Sequence, residues 1–180
     1  MPTGDIRLTY GLQGEALKQV DEVARGLACD CVCPGCRTPL VARQGSVMQH
    51  HFAHQGDSCT YGVESALHLA AKEIIAQNMR ITLPAAPSND SRSLIGSPDP
   101  SGRDPTTYKI DNVALEHRTE NLVPDLVLHI QERPLLIEIT VTHGIDLGKY
   151  HKIVSLGIST LEINLSKEPR TFTRERLREI

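Results

Sequence analysis

The stretch PDLVLHIQERPLLIEIT, Pro124 to Thr140, is two apolar runs joined by a polar QERP. Short runs of Leu, Ile and Val bounded by turn residues read as strands, so residues 122–142 form an antiparallel hairpin. Alternate residues of a strand share a face. With the turn centred on Glu132-Arg133, Asp125 faces Thr140 and Val127 faces Glu138, which makes Asp125 and Glu138 diagonal neighbours on one face. Carboxylates among Leu126, Leu128, Ile137, Ile139 and Val141 are costly to bury unless a cation balances them. Two carboxylates, waters and a phosphate oxygen suit Mg²⁺ or Mn²⁺, the arrangement of metal-assisted phosphodiester hydrolysis. The plainer reading of the hairpin alone is a solvated sheet face.

Working outward, Leu147 to Leu156 has a helical period that Gly157 ends. Leu161 to Leu165 alternates as a strand, and the tail from Ser166 ends in the start of a helix. On the other side, residues 84–106 are rich in Pro, Ser, Asp and Gly, so 85–106 is expected to be a mobile, protease-sensitive insert. Before it, ESALHLAAKEIIAQNM at 64–79 is the strongest helix signal, with an apolar stripe of Leu67, Ala70, Ala71, Ile74 and Ile75. Glu64, His68 and Lys72 share another face of that helix. Residues 5–28 read as turns and short strands, with Ile6, Leu8 and Tyr10 alternating as an edge strand would.

The chain has five cysteines and eight histidines. Cys29, Cys31, Cys33, Cys36 and Cys59 all lie in the first third, interleaved with His50, His51 and His54. An odd cysteine count with no secretion signal argues against a disulfide framework and for metal. In Cys33-Pro34-Gly35-Cys36 the two-residue gap turns both thiolates toward one ion, with Gly35 free to take a positive φ. His54 and Cys59, just before the helix, complete the set in a treble-clef-like order. His51 competes with His54, but in an extended segment the two point to opposite faces; His50 is weaker. Cys29 and Cys31 read best as small buried residues. Four protein ligands leave no open position, so the zinc is structural.

Composition bounds the rest. The 180 residues are 39% hydrophobic and 23% charged, a globular balance. No apolar run approaches the roughly 18–20 residues of a membrane helix. The N-terminus lacks a basic start and an apolar stretch, so a soluble, cytoplasmic protein with no membrane partner is expected. Aromatics are 3%, which disfavours a stacking platform for single strands. A net charge of −3 disfavours a nonspecific DNA-coating protein while leaving room for a local basic groove.

In order along the chain, CPGC at 33–36, LVARQG at 40–45, HHFAH at 50–54, Cys59 and E-x3-H-x3-K from Glu64 to Lys72 resemble the competence protein CoiA-like family. PDLVL at 124–128, LIEITVTH at 136–143, Asp146, Lys149 and LEINL at 161–165 continue the resemblance. It implies a small zinc-finger-like module, residues 1–62, and a nuclease-like domain, residues 63–180, of the PD-(D/E)xK type. Such a domain is an α/β (α+β) restriction-endonuclease-like core, a mixed sheet flanked by helices. The resemblance makes Asp125 and Glu138 the metal carboxylates and Glu64 the acid of the first helix. Thr140 stands at the motif's lysine position, so Lys149 is the first substitute, with Lys152 and Lys72 as others. His68 and His143, with Lys72 and Lys152, are candidates to contact nucleic acid. The implied activity is Mg²⁺- or Mn²⁺-dependent cleavage of DNA, in uptake, processing or defence. The alternative is a binding module that keeps the fold without the chemistry.

Overall fold

The computed structural model describes residues 7–57, 59–83, 104–115 and 122–179. The expected insert at 85–106 therefore lies outside the described residues as far as Arg103, and Thr106 already begins a strand. The chain divides into two compact units, Met1–Ala71 with Lys167–Ile180, and Lys72–Ser166. The sequence places the division at residues 62/63; the units instead divide within the long helix, and the tail groups with the N-terminal residues.

The first unit carries β1 (Tyr10–Gln13), β2 (Ala16–Gln19), β3 (Gly26–Val32), β4 (Pro39–Arg43) and β5 (His51–His54), in the order β2-β1-β3-β4-β5. All neighbours are antiparallel, and a bridge from Leu8 to Phe52 ties the chain before β1 to β5. Tyr10 thus sits on an interior strand, where the sequence suggested an edge. Leu12, Leu17, Leu40, Ala42 and Phe52 are buried. Phe172, from the tail, stacks on Tyr10 with centroids 4.7 Å apart. Arg174 donates to Leu17 O at 2.6 Å from α3 (Arg174–Leu177). Tyr10 and both phenylalanines are thereby placed in this core.

The long helix α1 runs Gly62–Asn78, two residues earlier at its start than its periodicity suggests. Ala66, Leu67, Ala70, Ala71 and Ile74 are its buried stripe. Ile75 of the expected stripe is half-buried.

The second unit pairs β6 (Arg80–Leu83) with β7 (Thr106–Lys109). Its main sheet takes β8 (Asn112–Leu115), β9 (Leu126–Ile130), β10 (Arg133–Thr140) and β11 (Thr160–Asn164) in the order β11-β10-β9-β8. β10 and β11 are parallel, joined by α2 (Leu147–Leu156), and the other pairs are antiparallel. The class is α+β with a mixed sheet. Asp146 caps α2 by accepting from Lys149 N, and Gly157 ends it at φ 63°. Ile153 packs with Leu122, Val127 and Leu136.

The hairpin turn differs from the sequence reading. Arg133 pairs with Ile130, and the turn is Gln131-Glu132, with φ values of 50° and 63°. Both central residues are left-handed, as a two-residue type I′ turn requires. The register moves by two, which preserves every face. Continued by one residue beyond Leu126–Ile137, it sets Asp125 directly across from Glu138 instead of diagonal to it. No helix of the described residues is long and apolar enough to cross a membrane.

Candidate metal centre and acidic hairpin

The ligand atoms of Cys33, Cys36, His54 and Cys59 all lie within 4.8 Å of one another. Among the described residues this is the one group of three or more metal-ligating side chains that the fold gathers. The knuckle sits between β3 and β4, where Cys33 N donates to Thr38 O and Arg37 N to Cys33 O. The positive φ falls on Arg37, at 63°, and not on Gly35. Gly35 is needed for close approach instead: a Cβ there would lie 3.1 Å from Gly62 N and Tyr61 C. His54 comes from β5, opposite Leu40, and Cys59 from the loop before α1.

Gly62 opens α1 against the sulphurs, and a Cβ on it would lie 2.9 Å from Cys33 Sγ. A helix N-terminus favours thiolate charge. Cys33 Sγ and Cys59 Sγ are 3.5 Å apart. Burial pushes the Cys33 thiol up to about 12, whereas hydrogen bonding by the Thr38 side chain and backbone holds Cys36 down to about 6. His54 Nε2 is buried without a hydrogen-bond partner. Buried ring nitrogens ordinarily have one, and a metal shared with the three cysteine sulphurs would be that partner. The donor set therefore fits a zinc ion.

The remaining Cys and His residues go elsewhere. His51 is hydrogen-bonded to Gln49 O at 2.9 Å, and His50 Nδ1 lies 2.5 Å from Asp21. Cys29 and Cys31 are buried, their thiols donating to Leu40 O and Cys29 O.

Residues 16–62 match the family described as Competence protein CoiA, N-terminal domain. Over this stretch the chain carries a CoiA-type N-terminal domain. The match takes in Cys33, Cys36, His54 and Cys59 and ends at the first residue of α1, short of the acidic hairpin. No curated protein and no solved structure matches the chain.

In the second unit, Asp125 Oδ2 accepts from Ile139 N at 2.8 Å. Lys72 Nζ lies 3.5 Å from Asp125 Oδ1. On β10, Glu138 is 3% exposed, and its Oε2 accepts from Lys149 Nζ at 2.6 Å. Lys149 is in the first turn of α2, where its backbone N–H is capped by Asp146. Thr140 is buried and donates to Glu162 Oε1 at 2.5 Å. Glu162 pairs with Glu138 across the parallel strands, so it joins the same row. Sequence reasoning assigned Glu162 no role; LEINL gave only a strand, and the pairing that brings its acid beside Glu138 depends on the crossover through α2.

The other expected residues are placed as follows. Glu64 is in the first turn of α1, in the first unit, 3.9 Å from Arg170. His68 is half-buried on α1, also in the first unit. His143 is exposed in the bend after β10, and Lys152 is exposed on α2.

Proposed function

We propose that the chain is a metal-dependent phosphodiesterase acting on DNA, with a structural zinc in its first unit and its chemistry on the hairpin of the second. The observation that carries this reading is the pair of lysine–carboxylate contacts, Lys149–Glu138 at 2.6 Å and Lys72–Asp125 at 3.5 Å, on neighbouring strands. Two buried or half-buried acids each faced by an ammonium are an expensive arrangement for a sheet face and an ordinary one for a hydrolytic centre. The mixed sheet with a parallel crossover through α2 is compatible with a restriction-endonuclease-like core.

Asp125 and Glu138 would hold the divalent ion, since Mg²⁺ takes one or two protein carboxylates and keeps waters. When bound, the ion polarises the phosphoryl oxygen and lowers the pKa of a water. The Ile139 N–H fixes the Asp125 carboxylate. Lys149 supplies the positive charge that Thr140 lacks, and its ammonium would meet the charge developing on the phosphate oxygens. Thr140 instead anchors Glu162. In the first unit, zinc fixes the knuckle to β5 and to the start of α1.

A second reading, a binding module without chemistry, is favoured by Thr140 being committed to Glu162. Incubation with linear and plasmid DNA in Mg²⁺, Mn²⁺ or EDTA separates the two. Cleavage should need the metal, and Asp125→Ala and Glu138→Ala should each abolish it while zinc content stays at one per chain. Lys149→Ala should slow it about a hundredfold. A wild type that cleaves nothing with either metal leaves the binding module. Cleavage undiminished in both carboxylate variants removes the hairpin from the reaction.

A further inference from the structure

A cleft of about 750 Å³ opens on the outer face of β3, β4 and β5 in the first unit. Leu40, Ala42 and Phe52 of these strands point into the core, so Val41, Arg43, His51 and Ala53 point out. Arg43 pairs directly with His51, and Gly26 pairs with Ala42. Arg43 and His51 thus stand side by side on β4 and β5, and Arg25 lies in the bend just before β3, the third strand.

All three line the cleft, and no carboxylate does among the described residues. The floor is apolar. At the mouth, the loop after β4 carries Val47 and Met48, 94% and 55% exposed. The volume is that of a small-molecule pocket, about 300–1,000 Å³, but such pockets enclose their ligand between apolar walls with few charges. A half-open cleft lined by guanidinium and imidazole groups suits a chain of anions that enters on one side and leaves on the other. Arginine is the side chain that matches phosphate geometry.

We infer that this cleft binds the phosphodiester backbone of a nucleic acid, with Arg25 and Arg43 on phosphates and Val47 and Met48 against the sugars and bases. This contact belongs to the zinc-binding unit and does not depend on whether the second unit cleaves.

The test is fluorescence anisotropy of the full, zinc-replete chain without Mg²⁺ or Mn²⁺, so that cleavage plays no part. A labelled oligodeoxynucleotide is offered single-stranded in one arm and duplex in the other, over a range of salt. The double variant Arg25→Ala/Arg43→Ala should weaken binding at least tenfold. It should also flatten the salt dependence by about 1.8 in slope on duplex, or about 1.4 on single strands. The arm with the larger loss identifies the strand state. Arg25→Lys/Arg43→Lys should recover most of the slope. Met48→Ser should weaken binding with the slope unchanged, because an apolar contact releases no counterion. Arg178→Ala, an exposed arginine outside the cleft, should change neither. Absence of binding by the wild type overturns the inference, as does a zinc-replete double variant with unchanged affinity and slope. Equal competition by polyglutamate would assign the cleft to an acidic protein segment instead.

Discussion

At the scale of single residues, two positions act through space more than through chemistry. Gly62 contributes no side chain, yet a methyl there would meet Cys33 Sγ at 2.9 Å, and that sulphur lies within 4.8 Å of the candidate ligand atoms of Cys36, His54 and Cys59. Gly62→Ala should therefore cost about 1–3 kcal/mol. It should also make zinc easier to withdraw, measured by chelator competition beside a denaturant titration. Lys72 is 5% exposed and faces Asp125. Removing one partner of a buried pair leaves an uncompensated charge, so Lys72→Ala should destabilise the fold by about 3 kcal/mol in the same titration. The sequence made Lys72 the lesser of two lysines for activity; its burial makes it the greater for stability. Lys149, partly open to solvent, should show the reverse. The clustering of Cys33, Cys36, His54 and Cys59 was legible because a two-residue thiol gap, followed by a His and a Cys ahead of a helix, has few other uses. Glu162 was not, since strand alternation alone cannot say which neighbour a strand will choose.

At the scale of elements, the helices were the easiest to read. Gly157 and the stripe of α1 mark their limits through backbone freedom and periodicity, both local properties. The hairpin was read correctly in its faces and incorrectly in its turn. Gln131 and Glu132 are poor residues for a left-handed conformation, and nothing in QERP announces one. That conformation costs an ordinary residue about 1–2 kcal/mol. Replacing Gln131-Glu132 by Asn-Gly should thus raise stability by about 1 kcal/mol and lift the melting temperature, with the register between Asp125 and Glu138 unchanged. A fall in melting temperature would mean that the polar turn is held by other contacts, of which Gln131 N to Asp111 at 2.7 Å is one. The strands β6 and β7 were missed because each is only four residues long, so that Ile81, Leu83 and Tyr108 are too few to make a period stand out. Pairing such as the 2.9 Å contact of Thr82 and Thr107 is invisible until the two segments meet.

At the scale of the whole molecule, the first unit is assembled from two segments that are distant in sequence, Met1–Ala71 and Lys167–Ile180. Phe172 is buried against Tyr10. Phe172→Ala should remove about 3 kcal/mol from that unit, read as a lower melting temperature and a faster loss of zinc to a chelator. Stripping the metal from wild-type protein should unfold the same unit, since the knuckle, β5 and the start of α1 are joined through it. The consequence reaches back to synthesis. The ribosome delivers all four ligands early, but Phe172 and Arg174 leave it only after the whole second unit has emerged. At about 5–20 residues per second, that delay is on the order of ten seconds. During it the nascent sheet has its thiols and imidazole in place while one side of its core lies bare. Zinc captured at that stage would keep Cys33, Cys36 and Cys59 from oxidising or pairing wrongly, so that the metal acts as a placeholder for an aromatic ring still to be translated.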